Sequence, residues 1–322
     1  MNLSLKELLS QFSQKHLLVV GDVMLDTYVW GTVDRISPEA PVPIVDITKT
    51  EYHAGGAANV AQNIHGLDAK VTLIGMIGDD EDGELLKSVI KKNTRLNFKS
   101  IIEEKRQTTV KTRIMAQGQQ ILRLDHENTD SLKSETFIKL KKLIKSSLDD
   151  VDGIILQDYE KGIFSKEIIQ WVMKICKENS LPVYVDPKDK NYIEFSGARL
   201  FKPNLSEFNK NVNINQDILA SAESLRIDNN YDILLVTMGE KGMAIFSENE
   251  QRNISTQARS VNDVSGAGDT VIATFALSDL CGNSPFDSAW LANHAAGRVC
   301  EEVGVVPIDT KILSEMLAEH LD

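Results

Sequence analysis

The sequence predicts an α/β fold in which a mostly parallel central sheet is flanked by helices, and three observations carry that expectation. Short apolar runs recur along the chain: "HLLVV", "VTLIGMIG", "GIILQD", "PVYVD", "RLFKPN" and "DILLVTMG". They are continuous rather than alternating, as strands covered on both faces are. Helical patterns such as "DGELLKSVIKKN", "KEIIQWVMKICKEN" and "DILASAESLRI" lie between them. With 322 residues, 42% apolar and 25% charged, the chain can bury a large core.

Taken in order, "MNLSLKELLSQF" sets Leu5, Leu8, Leu9 and Phe12 at helical spacing, an amphipathic helix rather than a secretory core. The first strand then delivers Asp22 and Asp26 in "VVGDVMLD". Two stretches break the strand–helix rhythm. "PIVDITKTEYH" (43–53) alternates as a strand does, and "TTVKTRIMAQGQQILRLDHE" (108–127) reads as two strands joined around Gln117–Gly118. With "TYVWG" they predict a small β flap, a lid built from about 27–33, 42–53 and 108–125 and inserted into one domain spanning 1–322. An ordinary edge hairpin is the alternative. Flaps over the carboxyl edge of a parallel sheet commonly close binding sites. From Ser265 the pattern turns helical, over 267–280, 285–301 and 309–320. The lysines between Lys139 and Lys145 read as a solvated helix face.

A formal net charge of −12 argues against gripping nucleic acid or an anionic membrane through the general field. No apolar run reaches membrane-spanning length. Cys176, Cys281 and Cys300 are far apart and in no metal-ligand spacing, so buried free thiols and a cytoplasmic location are expected.

"DVSGAGDT" (263–270) places Gly266, Ala267 and Gly268 where a helix would begin. Amides at a first turn have no intrahelical partner, and the dipole adds partial positive charge there. Asp269 in that turn would be held ionised, able to take a proton from a hydroxyl beside a bound anion. A plain helix start remains the alternative. "HAGGAANVAQN" is a second glycine pair, Gly55–Gly56, opening a helix with Asn59 in its first turn. "KPNLSEF" supplies Asn204 and Glu207 three residues apart, suited to Mg²⁺ through its water shell or simply to an N-cap.

Together these stretches resemble the ribokinase-like (PfkB) family of sugar kinases, over essentially the whole chain. "GGAANVA", "KPNLSE", "VTMGEKG", "DVSGAGDT" and "NHAAGRV" occur in the family's order. Within it, "GDVMLDTYVWGTVDRISPEAPVPIV" (21–45), "QQILRLDHE", "QDYEKG" and "VDPKD" resemble the branch acting on D-glycero-β-D-manno-heptose 7-phosphate. The resemblance implies an ATP- and Mg²⁺-dependent transfer to the anomeric O1, giving the 1,7-bisphosphate for ADP-heptose synthesis. No H-x-G-H nucleotidyltransferase motif occurs up to Asp322, so only the kinase step is expected.

The same resemblance makes Asp269 the base and Gly266 to Gly268 the anion hole. Asn204 and Glu207 would organise Mg²⁺ and the ATP phosphates, and Thr237, Gly239, Gly242 and Asn293 would line the nucleotide groove. Asp26, Gly55, Gly56 and Asn59 would hold the sugar. Lys161 and Lys188 are candidate phosphate contacts, and Arg35, Arg113 and Arg123 candidate partners of the sugar phosphate, since guanidinium forks suit phosphate oxygens. A homodimer through the lid is expected. Ser265, Ala54, Lys202 and Met238 depart from the usual threonine, proline, threonine and arginine, and "CEEVGVV" (300–306) differs from the usual turn. The last two leave adenine contacts and a monovalent-cation site open. A kinase for another sugar phosphate is the runner-up reading; a non-catalytic sensor would bind ligand without releasing ADP.

Overall fold

The computed structural model describes residues 5–92, 96–212, 218–256, 263–302 and 304–321. Position 303 of the divergent 300–306 stretch, and both extreme ends of the chain, lie outside them.

The chain enters through α1 (Leu5–Phe12) and β1 (His16–Gly21), then leaves the sheet as the long pair β2 (Val23–Ile36) and β3 (Pro43–Gly56). It continues through α2 (Ala57–Gly66), β4 (Lys70–Gly78), α3 (Glu81–Ile90), β5 (Leu96–Glu103), β6 (Val110–Ala116) and β7 (Gln119–His126). Next come α4 (Ser134–Lys145), β8 (Gly153–Gln157), α5 (Lys166–Glu178), β9 (Val183–Asp186), β10 (Leu200–Phe201), α6 (Leu205–Asn211) and α7 (Ile218–Asp228). The chain ends in β11 (Ile233–Thr237), β12 (Met243–Ser247), β13 (Gln251–Ile254) and the helices α8 (Ala267–Leu280), α9 (Pro285–Val299) and α10 (Thr310–Leu321).

Nine strands form the main sheet in the order β13-β12-β11-β10-β9-β8-β1-β4-β5. All its pairs are parallel except β11–β12 and β12–β13. Successive side chains of β1 serve opposite faces: Leu17 and Val19 join one apolar core, Leu18 and Val20 the other. That is why the run is continuously apolar, and the helices on each face cover it.

The lid is a separate four-stranded sheet, β3-β2-β6-β7. Its hairpin turns at Gln117 and Gly118, both with positive φ, as the sequence predicts. The two longest lid strands run past the expected bounds because β2 begins and β3 ends inside the core, where Val23 to Val29 and Ala54 to Gly56 are buried, while their other ends reach into solvent. The parallel pairing of β2 with β6 has no counterpart in the sequence reading. Of the three thiols, Cys176 and Cys300 are buried as expected, whereas Cys281 is only partly so. No described helix is long and apolar enough to cross a membrane.

Candidate active site

α8 is buried continuously from Asp269 to Ser278. A helix apolar on every side belongs in the core, and it carries Asp269 there with it. Gly266 caps the helix with φ 83°, in the left-handed region. A Cβ at Gly266 would lie 2.6 Å from Asn59 Nδ2, so the bare glycine is what lets the Asn59 amide come so close. One of the three amides expected to be bare is not: the Ala267 N–H donates to the Val264 carbonyl at 3.2 Å.

Asn59 projects from the first turn of α2 and donates from Nδ2 to Asp269 Oδ2 at 2.8 Å. Asn63, one turn on, donates to the Asn59 carbonyl at 2.8 Å and accepts from Thr270 Oγ1 at 2.9 Å, tying α2 to α8. Asp269 Oδ1 accepts from Gln157 Nε2 and from the Tyr159 hydroxyl, each at 3.0 Å. Burial is the largest influence on this carboxyl and pushes its pKa up to about 7; the Asn59 hydrogen bond opposes it and nearby Asp186 reinforces it. The helix dipole therefore does not hold Asp269 firmly ionised, as sequence reasoning expected, because desolvation outweighs it.

Gln157 Nε2 also donates to Asp186 Oδ2 at 2.8 Å, and the ammonium of Lys202, almost fully buried, meets the same oxygen at 3.0 Å. A Cβ at Gly268 would stand 3.5 Å from Lys202 Nζ, so this cation faces the glycine turn. Gln157, Tyr159, Asp186 and Lys202 are the residues sequence reasoning missed as site members. The available signal was position. Gln157 and Asp186 end parallel strands, and Tyr159 and Lys202 follow strand ends within two residues, which is where α/β sheets bind ligands.

On the lid side, Asp26 is buried and paired with Arg113 at 2.5 Å, and the guanidinium lies 5.2 Å over the Tyr28 ring. Burial raises the Asp26 carboxyl while Arg113 pulls it down. A Cβ on Gly55 would collide with Asp26 Oδ2. Two residues expected to meet different parts of the sugar thus meet each other. Asp22, four residues before Asp26, is structural: its oxygens accept backbone N–H bonds from Tyr159, Lys161 and Ile163 at 2.9, 3.0 and 3.3 Å and so shape that loop.

The remaining basic candidates are paired with acids. Arg123 meets Asp125 at 2.9 Å and Lys161 meets Glu127 at 2.8 Å. Arg35 is exposed beside Asp46 at 3.9 Å; nine residues along β2 from Asp26, it is carried roughly 30 Å away at about 3.3 Å per residue. It does not join this cluster.

Asn204 and Glu207 form a capping box on α6, with Glu207 N donating to Asn204 Oδ1 at 2.9 Å and Asn204 N to Glu207 Oε2 at 2.8 Å. Lys188 Nζ pairs with the other Glu207 oxygen and lies 5.5 Å over the Tyr159 ring. With both oxygens engaged, Glu207 suits Mg²⁺ through water rather than directly. Among the described residues no group of three or more His, Cys, Asp or Glu forms a metal cage. Thr237 N donates to the Pro203 carbonyl at 3.0 Å, and Gly239 and Gly242 bracket the turn that follows. Asn293 is committed to the Ser255 carbonyl at 2.7 Å, anchoring the end of β13 to α9.

A lidded parallel sheet with a buried acid on a glycine-opened helix defines a class, the ribokinase-like α/β fold. Phosphofructokinase-2 from Escherichia coli, crystallised with substrates and products, matches at TM-score 0.80 and 15% identity, covering 96% of this chain and 100% of that one. Arabidopsis thaliana ribokinase with ribose and ATP matches at TM-score 0.70 and 20% identity, covering 94% and 98%. The chain belongs to the pfkB family of carbohydrate kinases, whose family profile matches residues 14–311. Among curated proteins it is 38% identical to the bifunctional protein HldE of Sulfurimonas denitrificans over 96% of this chain and 65% of that protein. It is 40% identical to the protein of that name from Helicobacter pylori strain J99, over 90% and 64%. The chain thus spans just under two thirds of these relatives' length.

Proposed function

We propose that this chain phosphorylates the anomeric O1 of D-glycero-β-D-manno-heptose 7-phosphate, using ATP and Mg²⁺, to give the 1,7-bisphosphate. The reading rests on the heptose-branch resemblance of residues 21–45 and on relatives named HldE at 36–40% identity along the chain. The observation that carries the chemistry is Asp269, buried at the start of α8 and bonded to Asn59 beside Gly266.

Bound ATP with Mg²⁺ supplies the phosphoryl group and the charge that shields it. Asn59 and Asp26 orient the sugar, and Asp269 accepts the O1 proton as O1 attacks. The turn at Gly266–Gly268 and the Lys202 ammonium receive the negative charge that develops opposite. Arg113 balances Asp26 and is the arginine best placed for a dianionic sugar. Lys188 and Glu207 hold the nucleotide end, and Thr237, Gly239 and Gly242 its groove. The lid excludes water when ligands seat.

We propose further that a second copy covers the lid. β7 is exposed along its whole length and presents Ile121, Leu122 and Leu124, an open edge of the kind proteins usually cover. Sedimentation as a monomer at assay concentration would remove this part. A cytoplasmic location accords with this sugar-phosphate chemistry.

The test is a panel of sugar phosphates in a coupled ADP-release assay. Preference for the heptose 7-phosphate is expected. Comparable turnover of a hexose phosphate would move the assignment to another sugar, and binding without ADP release would make the protein a sensor. Asp269→Asn is expected to lower kcat by roughly 10²–10⁴ while ATP binding persists; near-normal turnover would sink the base assignment.

A further inference from the structure

A carboxylate offers two lone pairs on each oxygen, and the described residues fill three of Asp269's four. Among them, Oδ1 takes both Gln157 Nε2 and the Tyr159 hydroxyl at 3.0 Å, whereas Oδ2 takes only Asn59 Nδ2 at 2.8 Å. The two oxygens also face different ways. Oδ2 is bonded to the amide that lies against Gly266, on the side of the glycine turn. Oδ1 is turned towards Gln157, which itself reaches back to Asp186.

Resting on the reading of Asp269 as the base, we propose that Tyr159 is a positioning residue: its hydroxyl completes Oδ1 and leaves Oδ2 as the oxygen that receives the acceptor hydroxyl's proton. In the transfer, the O–H bond of the acceptor breaks and its proton goes to Oδ2. The acceptor oxygen bonds to the γ-phosphorus as the bond to ADP breaks. The proton leaves Oδ2 for water after the product departs.

Tyr159 is the adjustable member of the pair. Gln157 is fully buried and spans two carboxylates, so it is fixed. The Tyr159 ring has close neighbours. Its Cδ2 is 3.5 Å from where a Cβ on Gly56 would be, Lys188 Nζ is 5.5 Å from the ring centroid, and the Tyr159 backbone N–H is anchored on Asp22. Among the described residues, the charged and titratable groups around Asp269 are Asp186 at the end of β9, Lys202 after β10, and Tyr159 after β8, with Lys188 next to the Tyr159 ring; α2 contributes neutral Asn59. Loss of the phenolic hydroxyl removes a donor that favours the ionised carboxylate and opens Oδ1 to a competing water.

The experiment uses Tyr159→Phe in the full chain. The acid limb of kcat/KM for the sugar is expected to move up by about one pH unit, the size of one lost charge-assisted bond. Plateau kcat should fall roughly 3- to 10-fold, with the KM for ATP unchanged. A lower melting temperature with an unmoved limb would mean a structural role and overturn the proposal. A second measurement needs no substrate: infrared titration of the protonated carboxyl band, assigned by its loss in Asp269→Asn, should show the same upward shift. If Tyr159→Phe does not fold, 3-fluorotyrosine at 159, a stronger donor of the same shape, should move the limb down; no movement refutes the idea. Full turnover by Asp269→Asn would instead refute the base reading while leaving the infrared result intact, so the two failures are distinguishable.

Discussion

The charge on Asp186 should be legible in the pH profile of the whole enzyme. One amide nitrogen, Gln157 Nε2, donates to Asp186 Oδ2 at 2.8 Å and to Asp269 Oδ1 at 3.0 Å, so the two carboxylate oxygens lie no more than about 6 Å apart. Like charges at that separation repel by about 3 kcal/mol at an effective dielectric of about 20, or about two pK units. The Lys202 ammonium, 3.0 Å from Asp186, offsets a large part of this, which leaves about one unit. Asp186→Asn keeps an acceptor for Gln157 and frees Lys202 to act on Asp269 in the same direction. The acid limb of kcat/KM, which reports the free enzyme, is expected near pH 7 in the parent, where burial has pushed Asp269, and near 6 in the variant. At pH 6 the ionised fraction of the base would rise from about one tenth to about one half, a relative gain of about fivefold over the variant's own plateau. Normalised pH–rate profiles of the two proteins decide it. A limb that stays put or moves up would refute the electrostatic reasoning, whatever happens to the absolute rate.

Two further perturbations follow from the same geometry. Gly266→Ala sets a side chain on a φ of 83° and within 2.6 Å of Asn59 Nδ2; kcat should fall about 10²-fold, as when one oriented donor is lost, with a melting temperature only a few degrees lower, and unchanged kcat would contradict the placement of Asn59. Arg113→Met leaves Asp26 buried without its partner, which should cost roughly 3–5 kcal/mol by denaturant unfolding at pH 8. Asp26 already sits above its ordinary value, chiefly through burial, and loses its main opposing influence in the variant. The deficit is therefore absent once the carboxyl is protonated in both states, below about pH 4, and grows as pH rises; a pH-independent deficit would mean that Arg113 acts through packing alone.

Asp269, Asn59 and the glycine turn were legible because local patterns specify them: three small residues before an apolar run can only start a helix in a few ways. The capping box at Asn204 and Glu207 was legible for the same reason, although its second partner, Lys188, was not tied to it in advance. Arg35 was misplaced because a residue number says nothing about how far an extended strand carries a side chain. The structural role of Asp22 was not legible because its three backbone donors come from residues 159–163, far along the chain. Gln157, Tyr159 and Asp186 went unmarked because each is unremarkable in its own segment, and Lys202 was noted only as a departure from threonine, with no sign that it is buried beside Asp186.

Periodicity and turn chemistry act over a few residues, so the layered architecture, the lid and the helix that carries the acid could be read from the chain. The state of that acid could not. Its ionisation depends on burial, on Asn59 210 positions away and on Gln157 112 positions away, and electrostatic influence falls off with distance in space, not along the chain.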